Sequence, residues 1–153
     1  MIILDASAGC ALSLGWPEGE KFHSLMYCGE RTLAPELYLS EVAHVLQKHV
    51  RGGKLGVREA SEALSRAISL IDELVPMKDL AQEALFESLR LQHSSYDMFY
   101  FVLARRNAAT LFTLDRRLVD LAMRNGLNCV FDAEVAPGET WAIRAEVEDG
   151  RDL

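Results

Sequence analysis

Three short apolar runs in this chain each lead into an aspartate: Ile2 to Leu4 before Asp5 in "MIILDAS", Thr110 to Leu114 before Asp115 in "TLFTLDRRL", and Asn128 to Phe131 before Asp132 in "NCVFDAE". The first run shows no alternation of polar and apolar side chains, which is how a strand covered on both faces reads. Between such runs lie longer stretches of helical periodicity. Strands alternating with helices predict an α/β chain, an α/β/α sandwich built on a central parallel sheet. In an open sheet of that kind functional groups gather at the carboxyl ends of the strands. Asp5 and Asp115 therefore fall on the edge where chemistry is usually done.

The remaining elements fill in the alternation. After a first helical stretch and a loop, Thr32 to Pro35 reads as a second strand. Glu36 to Val50 follows as a helix with Leu39, Val42, Ala43, Leu46 and Val50 on one stripe. Arg51-Gly52-Gly53-Lys54 stops that helix, and Val57 to Leu70 reads as another. Glu73 to Met77 is a strand candidate interrupted by Pro76, and Asp79 to Leu91 is helical. Tyr96 to Asn107 is a helix apolar all round. The helix from Arg116 to Asn125 closes on Gly126.

At 153 residues the chain reads as one domain over 1–132, with an acidic, aperiodic extension over 133–153. No apolar run approaches the ~20 residues a bilayer requires, so no membrane span is expected. The N-terminus lacks a positive region and a small-residue cleavage site, and Asp5 interrupts its apolar opening. Cys10, Cys28 and Cys129 form no CxxC pair and read as buried, reduced thiols of a cytoplasmic protein. The net charge of −7 argues against broad electrostatic capture of nucleic acid, so a polyanionic substrate would have to meet a local basic strip or a metal ion.

The carboxylates each carry two readings. Asp5, Asp115 and Asp132 can cap the helix or segment that follows, an N-cap being worth about 1 kcal/mol, or can face a site. Asp97 opens a helix flanked by Tyr100, Phe101 and Ala104, where a lone ionised acid is costly unless paired or bound to a cation. Against that, Ser94-x-x-Asp97 is a capping box that would satisfy the aspartate locally. Glu41 lies opposite the Leu39/Val42/Leu46 stripe and by itself reads as solvated. His23, His44, His49 and His93 show no HExxH or HxH spacing, and the phosphate-loop, dinucleotide and nucleophile-elbow signatures are absent.

The segments "MIILDAS", "APELYLSEVAHVLQKHV", "SSYDMFYFVLARRN" and "TLFTLDRRL", in this order and spacing, resemble the PIN-domain ribonucleases, and within them the VapC-type toxins of toxin–antitoxin pairs. The resemblance runs from Met1 to about Phe131. It implies an α/β/α sandwich whose acids converge above the sheet to hold Mg²⁺ or Mn²⁺. By motif, Asp5, Asp97 and Asp115 match metal ligands, and Glu41 matches the acid of the second motif, a ligand or a positioner of water. Ser7 and Thr113 match small hydroxyl residues that orient those carboxylates. The implied reaction is hydrolysis of RNA phosphodiester bonds to a 5′-phosphate and a 3′-hydroxyl. The implied partners are an RNA substrate, a small antitoxin protein and a second copy of the chain in a homodimer. Met98 and Phe99 depart from the pattern, being bulkier than expected, and would narrow the substrate's approach.

Clustered carboxylates raise one another's pKa unless cations neutralise them, which suits hard divalent ions with oxygen ligands. Cations for phosphate could come from Lys48, Arg51, Lys54, Arg58, Arg105 and Arg106, but Arg116 and Arg117 are the first choices because they adjoin Asp115. A dehalogenase-like phosphatase would need an acid where Ser7 stands. A receiver domain would need an acidic pair after the first strand and a lysine after a late one; neither is present. The nearer rival is a PIN fold that binds RNA or protein with little hydrolysis.

Overall fold

The computed structural model describes residues 1–26 and 28–130; Asp132 and the 133–153 extension lie outside the described residues. Strand β1 (Ile2–Leu4) leads into helices α1 (Ala6–Leu14) and α2 (Pro17–Leu25). Strand β2 (Thr32–Pro35) precedes α3 (Leu37–Arg51) and α4 (Val57–Ser69), and β3 (Glu73–Val75) precedes α5 (Met77–Leu91) and α6 (Ser95–Arg106). The chain continues through β4 (Thr110–Phe112), α7 (Arg116–Arg124) and β5 (Cys129–Val130).

The sheet has five parallel strands in the order β3-β2-β1-β4-β5. The chain steps outward from β1 through β2 to β3, then crosses back to add β4 and β5 on the other side. Such a reversal opens a crevice at the carboxyl ends of the two strands where it occurs, here β1 and β4. Their register pairs Leu4 with Phe112, which sets Asp5 beside Thr113 just beyond the paired segment. Ile2, Ile3 and Leu4 are all but fully buried, as a central strand demands, and α6 packs across β1, β2 and β4. The arrangement is the expected α/β/α sandwich.

Several boundaries move for identifiable reasons. Between Ala6 and Leu25 the chain forms two helices, separated at Gly15, whose φ of 68° ends α1 in a left-handed cap. β3 stops at Val75 because Pro76 has no N–H for the ladder, and α5 begins directly after it, two residues before Asp79. Thr113 and Leu114 leave the sheet, so the run "TLFTL" is strand only to Phe112. Of the cysteines, Cys10 is buried, Cys129 is half-buried with its thiol pushed up to about 11 by burial, and Cys28 is exposed, contrary to the expectation that all three are internal.

Helix α3 sits in a different rotation from the one its leucines suggest. Its buried residues are Tyr38, Val42, Leu46 and His49, while Ala43 is exposed. Tyr38 anchors this phase: it is wholly buried against α1, and its hydroxyl donates to the Ala67 carbonyl of α4 at 2.9 Å. A Cβ on Gly9 of α1 would come within 2.2 Å of that hydroxyl, so only glycine allows α1 and α3 to meet there. Burial holds the Tyr38 phenol far above the ordinary tyrosine range, and it stays neutral.

Candidate active site

Asp5 caps α1 and stands at the carboxyl end of β1, beside Thr113 at the end of the neighbouring strand. Its Oδ1 accepts from the Ala8 N–H at 2.9 Å and from Ser7 Oγ at 2.6 Å, and its Oδ2 accepts from Thr113 Oγ1 at 2.5 Å. The two hydroxyls are themselves fixed from the other strand. Ser7 Oγ accepts from the Leu114 N–H at 2.9 Å, and Thr113 Oγ1 accepts from the Asp115 N–H at 3.0 Å. Each hydroxyl has one proton to give and gives it to Asp5 because its acceptor side is already taken by a backbone amide. The result is a carboxylate whose orientation is set by both strands of the crevice.

Asp115 repeats the arrangement one strand over. It caps α7, with Oδ1 accepting from the N–H groups of Arg117 at 2.9 Å and Leu118 at 3.3 Å. The opening of the "TLFTLDRRL" segment is thereby explained. The strand ends in a hydroxyl that clamps the neighbouring acid, then in an acid that starts the next helix. Both aspartates are buried.

Asp97 is buried in the first turn of α6. Ser94 occupies the N-cap but makes no side-chain capping bond, so the reciprocal capping box does not form. The carboxylate instead meets His93, with Nε2 2.9 Å from Oδ2. Asp97 and His93 line an open groove of about 720 Å³ together with Leu85, Leu89 and Arg117. Arg117, whose N–H binds Asp115, lines the same groove as Asp97. Met98 and Phe99 do not line it; Met98 is in the core and Phe99 packs against it, so neither narrows the approach.

Glu41 is brought in by a residue that the sequence places only as an apolar neighbour of Asp97. The Tyr100 hydroxyl donates to Glu41 Oε2 at 2.6 Å, linking α6 to α3. Glu41 is half-buried, not on the solvent side of its helix. Tyr100 and His93 are thus the two contributors absent from the sequence reading. Tyr100 carried a signal, since it stands three residues after Asp97 on the same face of α6, whereas His93 precedes the helix and carried none of that kind.

The basic candidates separate. Arg105 is held by Glu83 at 2.5 Å and Glu87 at 3.1 Å, and Arg106 by Glu83 at 2.7 Å, so both stitch α6 to α5. Burial raises the Glu83 pKa, but hydrogen bonds from Arg105 and Arg106 outweigh it and leave the acid below its usual value. Arg58 pairs with Glu62 along α4. Arg116 and Arg117 are exposed at the start of α7, and Arg117 borders the groove.

The donors on this edge are carboxylate oxygens steadied by hydroxyls, a hard set suited to Mg²⁺ or Mn²⁺. Among the described residues, no group of three or more His, Cys, Asp or Glu side chains is placed to hold a metal ion. Asp5 and Asp115, joined through Thr113, would supply only part of an ion's shell, and Mg²⁺ fills the remainder with waters.

The family model of the PIN domain matches residues 2–123. The chain is 32% identical over 120 residues to the VapC ribonuclease Mb0985 of Mycobacterium bovis, covering 78% of this chain and 90% of that protein. It is 29% identical over 121 residues to ribonuclease VapC3 of Pyrobaculum aerophilum, covering 78% and 92%. Among solved structures it is similar to PAE2754 from Pyrobaculum aerophilum, with a TM-score of 0.63, 23% identity and 95% of each chain covered.

Proposed function

The chain belongs to the PIN-domain family, and from that membership we propose that it is a metal-dependent endoribonuclease of the VapC type. It hydrolyses RNA phosphodiester bonds and acts as the toxin of a toxin–antitoxin pair. The observation that carries the reading is the crevice between β1 and β4, where Asp5 and Asp115 follow adjacent strands and Thr113 joins them. Asp5, Asp97 and Asp115 are the residues that would hold Mg²⁺ or Mn²⁺. Such an ion supplies a Lewis acid and lowers the pKa of bound water toward neutrality.

The chain's own groups do the rest. Ser7 and Thr113 direct Asp5, so the negative charge on the crevice is fixed before substrate arrives, and preorganisation of that kind spares reorganisation during reaction. His93 restrains Asp97. Glu41, held by Tyr100, would orient water toward a scissile phosphate. Arg117, at the rim of the groove beside Asp97, is placed to meet backbone phosphate, with Arg116 next to it. Two readings of the assembly accompany this one. A small antitoxin protein silences the chain by occupying the groove. A second copy pairs with it as a homodimer, and the exposed Leu85, Phe86 and Leu89 of α5 support such a contact.

The test is cleavage of single-stranded RNA with Mn²⁺ by the wild type and by Asp5→Asn and Asp97→Asn. Loss of about two orders of magnitude or more in kcat, with 5′-phosphate and 3′-hydroxyl ends from the wild type, is the expected result; undiminished cleavage by either variant removes that residue from the mechanism. The rival, a PIN fold that binds without hydrolysis, is separated by calorimetric titration with Mn²⁺. A working site gives binding that is lost in Asp5→Asn, whereas a binding module gives none that depends on Asp5.

A further inference from the structure

Two tyrosines of this fold, Tyr38 and Tyr100, are completely buried, and they spend their hydroxyls differently. Tyr38 donates to a backbone carbonyl, the ordinary way to satisfy a phenol in a core. Tyr100 donates at 2.6 Å to a carboxylate on another helix, Glu41 Oε2. We propose that Tyr100 is a positioning residue for hydrolysis: its hydroxyl holds Glu41 toward the crevice in the orientation from which that carboxylate directs the attacking water. The proposal rests on the ribonuclease reading above.

Glu41 borders the buried face of α3, half-exposed, and ordering its three side-chain torsions is entropically costly. A phenol donating to an ionised acid makes a short, charge-assisted bond, stronger than one between neutral partners. The donor is also a fixed point. The Tyr100 ring is enclosed, with Phe101, Val102 and Leu103 buried beside it on α6, and α6 is packed across three strands. Tyr100 leaves α6 three residues after Asp97, on the same face. One helical face thereby presents Asp97 directly and Glu41 through a hydroxyl, and the spacing between the two acids is set by the pitch of a buried helix.

Tyr100→Phe keeps the ring and removes only the donor. With Mn²⁺ and a single-stranded RNA, the expected result is a fall in kcat of about 10- to 100-fold, the scale of a misdirected reacting group, with KM unchanged. Mn²⁺ affinity measured by calorimetry should stay at the wild-type value. Glu41→Gln should lose at least as much kcat, and Tyr100→Phe should cost nothing further in that background, because the hydroxyl acts only through Glu41. A wild-type kcat in Tyr100→Phe, or losses that multiply in the double variant, would show that the hydroxyl merely satisfies the core, and the proposal falls. If Tyr100→Phe does not fold, Glu41→Asp withdraws the carboxylate by one methylene while leaving Tyr100 in place. Its kcat should fall over the same range, and full activity would overturn the proposal. A wild type that binds Mn²⁺ and leaves RNA intact fails the ribonuclease reading itself, a separate outcome.

Discussion

Thr113 concentrates the chemistry of this crevice in one hydroxyl. Its Oγ1 accepts from the Asp115 amide and donates to Asp5, so one atom sets the distance between two strands' acids. Thr113→Val keeps the shape and strands a buried amide and a buried carboxylate oxygen together. Unsatisfied groups of that kind cost about 1–3 kcal/mol each. Urea denaturation should show a loss in that range, and RNA cleavage should fall with it, while Thr113→Ser should restore most of both. Wild-type stability and activity in Thr113→Val would mean that the relay is incidental. His49 raises the opposite issue, a polar atom with no partner. It is buried on α3 with its ring 5.5 Å from that of Trp16, and its Nε2 makes no hydrogen bond among the described residues. Burial, and secondarily the charge of Lys54, lower its pKa below 6.5. The unfolded chain, with an ordinary histidine, therefore takes up a proton first as pH falls. Stability from this group is intact above about 6.5, declines as pH drops toward the depressed folded value and is flat below that. Urea midpoints between pH 7.5 and pH 5 should fall less steeply in His49→Gln than in the wild type; parallel slopes would show that His49 is not the titrating group.

Helices carry the same logic at the next scale, and α3 shows what its own sequence disclosed and what it concealed. A stripe drawn through Leu39, Val42, Ala43 and Leu46 puts Glu41 on the far side. Replacing Ala43 by Tyr38 as the anchor turns the helix so that, at about 100° per residue, Glu41 lies roughly 60° from Tyr38 and borders the buried face. The signal was in the sequence, because a tyrosine outranks an alanine in buried area. What hid it is that Tyr38 needs Gly9 and Ala67 to accept it, a contact between distant segments that periodicity does not register. Asp5 and Asp115 were legible for the opposite reason: a strand end followed by an acid is local. The partnership of Tyr100 with Glu41 spans 59 positions and has no local signature. Gly9→Ala should destabilise the fold by about 1–3 kcal/mol, the cost of forcing an atom into a filled contact, as read from the urea midpoint. An unchanged midpoint would mean that α1 and α3 can part at no cost. The basic residues sort by element too. Arg105 and Arg106 bind α6 to α5 through Glu83, as partly exposed pairs worth ~0.2–1 kcal/mol apiece. Replacing both by glutamine should leave the salt dependence of RNA binding alone. Reversing Arg116 and Arg117 to glutamate should weaken binding and flatten that dependence, since each phosphate contact releases counterions. An unaltered slope in the second variant would move the phosphate path elsewhere.

Across the whole molecule, the strand order brings two acids that are distant in sequence to one edge of the sheet. Residues 5 and 115 meet because β4 is inserted next to β1 after the chain has already built β2 and β3 on the other side. The same excursion lays α5 and α6 so that α6 faces the sheet and α5 covers α6, leaving Leu85, Phe86 and Leu89 at 53%, 61% and 68% exposure. Three large apolar side chains on two turns of one helix are more than scattered surface hydrophobics. Leu85 and Leu89 line the groove that reaches Asp97 and Arg117, so a contact centred on Phe86 would set the active edges of two copies side by side. At a net charge of −7, two copies repel one another at long range, so burial of this apolar face would be the short-range attraction that offsets it. A stable interface of ordinary size covers about 800 Å² on each partner, more than these residues alone supply, which places neighbouring surface in the contact as well. Phe86→Glu combined with Leu89→Glu introduces charge at the centre of that surface while touching nothing in the core. Light scattering should show a dimer for the wild type and a monomer for this variant, with the circular dichroism spectrum unchanged. A double variant that stays dimeric would take α5 out of the interface and leave its apolar face for the antitoxin.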